Sequence, residues 1–499
     1  MSGASGAGPR GAEITEVRPV KIIARVALAL SFIAAAGICP GCASEPEAPH
    51  WAGALPAGQE AIEVPRGREP AGPDSGVLTL DRAIDEALAA SPELEQIRRR
   101  TDAATEEIRQ AEASFYPHAA FTEDFNRTNN PVFALMDIIN QRRLLQNTNF
   151  NSPGAQQGAA SQVQAEWTFF EGGSAWYKRK AAKEQRDSVG AELAAAQNRL
   201  VASVSETYYR WLHALACIGV SERALDSAKT NQELSEARLS AETALPSEVL
   251  RFKTQTAEAR SALLSAKTGA RKLQASLERL LARAIAPSEI PEPATLSVVA
   301  DIPVEDSGAL VEKALRNRPE MESARSMIAA SRDRVKAARG EFLPKLSMSS
   351  QYRWDSEDFN KTADSWMVGL QASWPLFDGG LRLSSLREAR ARLGEMESRG
   401  KQLSLDIALE VNQAAETLKE AAEKIDAVRE QRDLAAQSLG ETRRLYQSQV
   451  VGVDALMQAE VSSDRAEAAY MTAIFDSRIS RALLRKALGD FAESVGGEK

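Results

Sequence analysis

The chain has 499 residues, 43% of them hydrophobic and 26% charged, with a net charge of −8. Such a composition is globular and long enough for several ordinary domains, and 61 Lys and Arg against 69 Asp and Glu leave no basic excess to point to nucleic acid. Three cysteines (Cys39, Cys42 and Cys217) are too few for a disulfide framework, and His50, His118 and His213 lack ligand spacing.

Arg18, Lys21 and Arg25 precede an apolar run from Val26 to Ile38. A basic flank, a short apolar core and small residues predict a secretory signal peptide over residues 1–42, too short to span a bilayer as a stable helix. Cys42, preceded by Gly41, resembles the lipidated cysteine of bacterial lipoproteins; the rival reading of Cys39-Pro40-Gly41-Cys42 is a redox or metal pair. Residues 43–76, rich in Pro, Glu, Ala and Gly, read as an extended tether. Beyond Ile38 no run of apolar residues is long enough for a transmembrane helix.

From there the chain is written twice. Ala87-Leu88, Ser91-Pro92-Glu93-Leu94 and Phe115-Tyr116-Pro117 return 227 residues later as Ala314-Leu315, Arg318-Pro319-Glu320-Met321 and Phe342-Leu343-Pro344. Trp167 and Phe169-Phe170-Glu171-Gly172-Gly173 return 207 residues later as Trp374 and Leu376-Phe377-Asp378-Gly379-Gly380. A repeat of this size fixes the architecture before anything else. Repeat one is expected over 77–286, a Pro-rich linker over 287–307, repeat two over 308–489 and a tail over 490–499.

Each repeat opens with a helix. Thr79 and Asp306 are N-cap types before an apolar-periodic run that continues to about Glu112 and Arg339, ended by Pro117 and Pro344. Strands of alternating polarity follow. Leu346, Met348, Ser350, Tyr352 and Trp354 share one face in copy two, as do Trp366, Val368, Leu370, Ala372 and Trp374; Ala119, Phe121, Phe125 and Val163, Ala165, Trp167, Phe169 repeat this in copy one. Strands of about ten residues suit a tilted membrane crossing with aromatics at the ends, and equally a half-buried soluble sheet.

Two very long helices come next, over about 174–241 and 381–449. Each would reach about 100 Å at 1.5 Å per residue. Val411, Leu418, Ile425, Arg432 and Leu439 recur every seventh position, as do Val204, Trp211, Ile218, Leu225, Gln232 and Leu239, with Ala or Ser at most positions between. Such seams must pack lengthwise on other long helices. Arg432 and Gln232 interrupt them, either as register or clasp residues or as solvent-facing ones. Short turns at Glu242 to Glu248 and Ser448 to Asp454 lead to return helices ending near Ala284 and Leu488.

The predicted fold is therefore mainly α with a small β part: two tandem repeats of helix, strand, strand, long helix, long helix. Four amphipathic strands leave two bare edges and cannot close a barrel in lipid, where every backbone group needs a partner. Three chains would supply about twelve strands, within the observed range of membrane barrels. The expected assembly is a trimer forming a twelve-stranded outer-membrane barrel on a long coiled-coil barrel.

This organisation resembles the TolC-like outer membrane efflux proteins over about 77–488, most specifically in Trp374-Pro375-Leu376-Phe377-Asp378-Gly379-Gly380. In that family such a motif marks the exit from barrel to helix, which assigns the turn role to Phe170, Glu171, Gly172, Gly173, Phe377, Asp378, Gly379 and Gly380. Asn130-Pro131-Val132-Phe133-Ala134 is similar to the family's first surface loop. The resemblance implies a passive duct without cofactor or catalytic step. Its partners would be two further copies, a periplasmic adaptor, an inner-membrane pump and outer-membrane lipid, with a type I protein-secretion duct as the alternative. A periplasmic adaptor is the more distant reading, since adaptors carry one hairpin beside a lipoyl-like sheet. Pro246, Glu248, Gly452 and Asp454 would form the periplasmic tips. The family's Gly and Ser or Thr before the tip acid are replaced by Glu242 and Leu245, and by Ser448 and Val451. Repeated threefold, Glu248 and Asp454 would ring the mouth and favour cations, or simply cap the return helices.

Overall fold

The computed structural model describes residues 76–291, 307–358 and 361–490. The signal peptide, Cys42, Asp306, the tether except its last residue, linker residues 292–306 and the tail after Asp490 lie outside the described residues. In chain order the elements are α1 (Leu80–Ala90), α2 (Pro92–Ala113), β1 (His118–Thr128), α3 (Pro131–Asn140), β2 (Gln156–Glu171), α4 (Ser174–Ser240), α5 (Pro246–Leu281), a 3-10 turn (Pro287–Glu289), α6 (Ser307–Asn317), α7 (Pro319–Gly340), β3 (Lys345–Ser356), β4 (Thr362–Ser373), α8 (Leu381–Gln447) and α9 (Val453–Leu488). They fall into two units. The described residues of the first are 117–167, 347–358 and 361–371; those of the second are 76–116, 168–291, 307–346 and 372–490.

Two expectations are corrected. Each opening helix is two helices, broken before Pro92 and Pro319. Proline lacks an N–H and pushes the preceding residue out of the helical region, so it is tolerated only in a first turn. Ser91 sits extended (φ −65°, ψ 118°), and its Oγ accepts from the Leu94 N–H at 3.4 Å. Thr79 does cap α1 as expected, accepting from the Arg82 N–H at 3.4 Å. The surface loop of copy one is also partly helical: Asn130 Oδ1 accepts from the Val132 N–H at 3.0 Å and Pro131 opens α3.

In the helical unit α4 and α8, 67 residues each, carry the predicted seams. Val204, Trp211, Val411, Leu418 and Ile425 are buried, and Ala228, Ser235, Ala421 and Val428 lie between them. Those small residues let α5 pack on α4 and α9 on α8 along their length. Equivalent cores close the two repeats. Ala87 and Ile84 pack on Val204, Leu277 and Leu281 in copy one. Ala314 and Leu310 pack on Val411 and Leu488 in copy two. Burying each large side chain contributes about 1.5–3 kcal/mol.

The start of the expected linker belongs to the first repeat. Glu289 is fully buried; its carbonyl accepts from the Leu78 N–H at 2.9 Å and its carboxylate meets Arg283 at 2.7 Å and Arg82 at 2.9 Å. Copy two builds its own charged joint from Arg318, Glu320, Glu410 and Lys486.

The sheet has the order β1-β2-β3-β4, so β1 and β4 are its edges. β1 and β2 are antiparallel, His118 opposite Glu166 and Thr128 opposite Gln156. Partners directly opposite share a face. Phe121 and Phe125 therefore lie beside Val163 and Ala159 on the mainly apolar face, interrupted by Glu123 opposite Ser161, and Thr122, Asp124 and Asn126 lie beside Gln162, Ala160 and Gly158 on the polar one. Large apolar side chains of the sheet are bare: Phe125 is 65%, Trp366 73% and Leu370 77% exposed. Apolar side chains on an uncovered face are what lipid contact requires.

Candidate functional site

The strand-to-helix turns share one backbone solution. Gly172 and Gly173 have φ of +64° and +79°, Gly379 and Gly380 of +67° and +89°, and the second glycine of each pair is the N-cap of a long helix. Two successive left-handed residues demand glycine. In copy two Asp378 supplies the missing cap: it accepts from the Gly380 N–H at 3.0 Å, the Arg382 N–H at 3.2 Å and Arg382 Nε at 2.6 Å. Arg382 beside it holds the Asp378 carboxyl below the ordinary range. Arg382 also donates to the Pro375 carbonyl at 2.5 Å, and Trp374 Nε1 to the Phe342 carbonyl at 3.1 Å. Phe377 is left 90% exposed. In copy one Phe170 and Glu171 end β2, with Phe170 exposed.

The helical tips also match. Glu242 and Gln449, 207 residues apart, both take a left-handed conformation (φ +59° and +63°). Pro246 opens α5 after Leu245, and Gly452 is the N-cap of α9; neither cap position makes a side-chain cap bond. Glu248 and Asp454 lie in the first turns, where a negative charge favours the helix dipole. Asp454 is tied further, forming an ion pair with Arg251 of the other repeat. Arg238 of copy one stacks 5.1 Å from the ring centre of Tyr446 of copy two, and Phe252, Tyr446, Val453 and Leu456 form a small core beneath. Burial raises the Tyr446 phenol above its ordinary value, with Arg238 opposing and Glu248 adding.

Further along α9 from the tip lies a cross-repeat network with no sequence signal. The buried Glu460 carboxylate accepts from Asn231 at 2.8 Å, Gln255 at 3.0 Å, Ser227 at 3.4 Å and Arg443 at 3.2 Å. Three partners come from copy one, at separations above 200 residues, where periodicity has no reach. Of the two seam interruptions, Gln232 bonds Glu236 on its own helix at 3.2 Å, whereas the Arg432 guanidinium lies 4.2 Å from the Tyr470 ring of α9. Among the described residues no group of three or more His, Cys, Asp or Glu could hold a metal ion, and no helix is long and apolar enough to cross a membrane.

A family model described as outer membrane efflux protein matches residues 83–283 and 310–490, one stretch in each repeat. The chain belongs to the outer membrane efflux protein family. Membership places it in the outer membrane. It is similar to the solvent efflux pump outer membrane protein SrpC of Pseudomonas putida, 30% identical over 192 residues that cover 37% of this chain and 39% of SrpC. It is also similar to protein CyaE of Bordetella pertussis, 26% identical over 332 residues, 64% of this chain and 65% of CyaE. Among solved structures, the CmeC outer membrane channel of Campylobacter jejuni aligns with a TM-score of 0.73 at 15% identity over 82% of this chain and 85% of CmeC. That likeness is one of fold: long helices with a small antiparallel sheet.

Proposed function

We propose that the chain is the outer-membrane duct of a tripartite efflux system. Three copies close one barrel of about twelve strands, and their helices form one periplasmic tube. The tips around Pro246, Glu248, Gly452 and Asp454 dock a periplasmic adaptor, which joins the duct to an inner-membrane pump. Small molecules pass without a catalytic step and without a cofactor.

One missing partner carries this reading. Helix α7 packs both on its own long helix α8 and on α4 of the other repeat, whereas α2 packs on α4 and makes at most a passing contact with α8. The turns repeat the asymmetry. A Cβ at Gly172 would meet Gly340, whose equivalent in copy one is Ala113, but a Cβ at Gly379 would meet nothing within 4 Å. α2 of one chain against α8 of the next fills both vacancies and generates a ring. The unpaired edges of β1 and β4 call for the same closure. SrpC's description as a solvent efflux protein supports small apolar molecules as cargo.

Fractionation with amine cross-linking tests this: a membrane-bound trimer is expected, and a soluble monomer would sink it. In planar bilayers the purified chain should form channels, and Asp454→Ala should change their conductance by freeing the tip from Arg251. The ion pair is exposed and is worth no more than about 1 kcal/mol, enough to bias a gate without locking it.

A further inference from the structure

We propose that α3 is a plug: three copies of this helix meet at the outer mouth of the barrel and make it an apolar constriction. This rests on the trimeric duct above and adds a second barrier to it.

Helix α3 leaves from the Thr128 end of β1, the end paired with the start of β2. It lies on the polar face of the sheet. A Cβ at Gly158 would sit 3.1 Å from Asp137 Oδ1 of α3 and 3.1 Å from Asn126 Oδ1 of β1, and Asn126 hydrogen-bonds Asp137. Asn126 and Gly158 oppose each other on the face shared with Thr122, Asp124 and Gln162. In a closed membrane barrel the polar face is the lumen. The helix is therefore inside the ring, and it is fastened there. Gln141 donates to the Gln157 carbonyl at 3.0 Å and the Ser356 carbonyl at 3.2 Å, Arg142 donates to the Asp364 carbonyl at 2.8 Å, and Arg143 pairs with Glu357 at 2.9 Å. Three consecutive side chains thus tie its end to β2, β3, β4 and the turn between them.

The side of α3 turned to the sheet is small, with Ala134 fully buried and Ile138 nearly so. The side turned away is apolar and bare: Val132 is 67%, Phe133 63%, Met136 49% and Ile139 42% exposed. An apolar surface of this kind facing a water-filled lumen is costly unless it is covered. Its only neighbours across the lumen are its own copies.

The dimensions agree. Twelve strands about 4.8 Å apart and tilted by about 40° make a ring of about 12 Å radius. Three helices packed about 8–9 Å apart have axes about 5 Å from the centre. That leaves about 7 Å between helix axis and strand backbone, closer than the roughly 10 Å at which layers with ordinary side chains pack. Small residues ease such a close approach: Gly158, Ala160 and Ala134, all buried, sit in it beside Asn126, Asp137 and Ile138. An apolar constriction of this kind gates a pore by expelling water.

Phe133→Cys and Phe125→Cys, each in the full chain carrying Cys217→Ser, decide it with a short bis-maleimide. Phe133→Cys is expected to cross-link between copies. Phe125→Cys, on the apolar outer face, is not. In planar bilayers Phe133→Ser with Met136→Gln should raise single-channel conductance about twofold or more. If Phe133→Cys gives no cross-linked species in a preparation that forms channels, the plug is wrong and the duct stands. If the parent chain forms no channels and no trimer, both fall.

Discussion

Gly172 and Gly340 meet backbone to backbone, so closely that a Cβ on Gly172 would lie 2.1 Å from the Gly340 carbonyl oxygen. Gly379, its equivalent in the second repeat, has the same left-handed backbone but open space around it. In the isolated chain Gly379→Ala is therefore expected to cost only the left-handed penalty, about 1–2 kcal/mol. Gly172→Ala adds displacement of α7 and should cost about 3 kcal/mol or more. Denaturant unfolding of the detergent-solubilised monomer measures the difference; equal losses would mean that the contact does not hold the repeats together.

The second expectation concerns Glu460. Its removal leaves the Asn231, Gln255 and Arg443 donors without their acceptor. Glu460→Ala should destabilise the contact between hairpins by about 3 kcal/mol. Amide exchange near residues 227–255 and 443–460 should then accelerate about a hundredfold, while the sheet exchanges as before.

A pH effect follows from His213. Its Nε2 lies 3.1 Å from Thr472 Oγ1 of α9, and its ring packs 5.3 Å from Phe475. Burial holds the imidazole below its ordinary 6.5, with Asp476 opposing weakly. The unfolded chain then takes up a proton that the folded chain refuses. The stabilisation is full above 6.5 and is lost as pH falls from there through the folded value. Thermal unfolding from about pH 8 to about pH 5 should show this decline, and His213→Gln should flatten it.

The charged joint of the first repeat gives the fourth. Arg283 holds the buried Glu289 carboxyl below its ordinary range. Glu289→Ala leaves Arg283 paired only with the half-buried Glu86 and should cost about 3 kcal/mol. Arg283→Met combined with Glu289→Leu should recover most of that loss, because a buried pair replaced by apolar groups of like volume is close to neutral. Calorimetry of the three variants separates a stranded charge from a lost contact.

Much of this architecture is legible in the sequence because it rests on short-range periodicity. Val204 to Trp211 and Val411 to Leu418 announce the seams at a spacing of seven, and glycine pairs mark the turns because nothing else takes two left-handed residues. The break at Pro92 and the start of α3 at Asn130-Pro131 are written as cap followed by proline, and the break at Pro319 by its proline alone. A long apolar-periodic run and a surface-loop reading hide them. The tip and clasp pairs, Arg251 with Asp454 and Asn231 with Glu460, depend on how two hairpins meet. No local pattern encodes that.

The charged joints are closed within each repeat. Glu289 finds Arg283 and Arg82, and Arg283 finds Glu86, all before residue 291; Arg318 finds Glu320 and Glu410, and Lys486 finds Glu410, all after residue 307. A cut between these joints would leave no buried ion orphaned on either side. The molecule can thus be regarded as two subunits that happen to share a peptide bond, and the proposed ring as six half-units with every second junction tethered. An ancestral half-length chain forming the same wall from six separate copies would have needed no rewiring of these two joints to become this one.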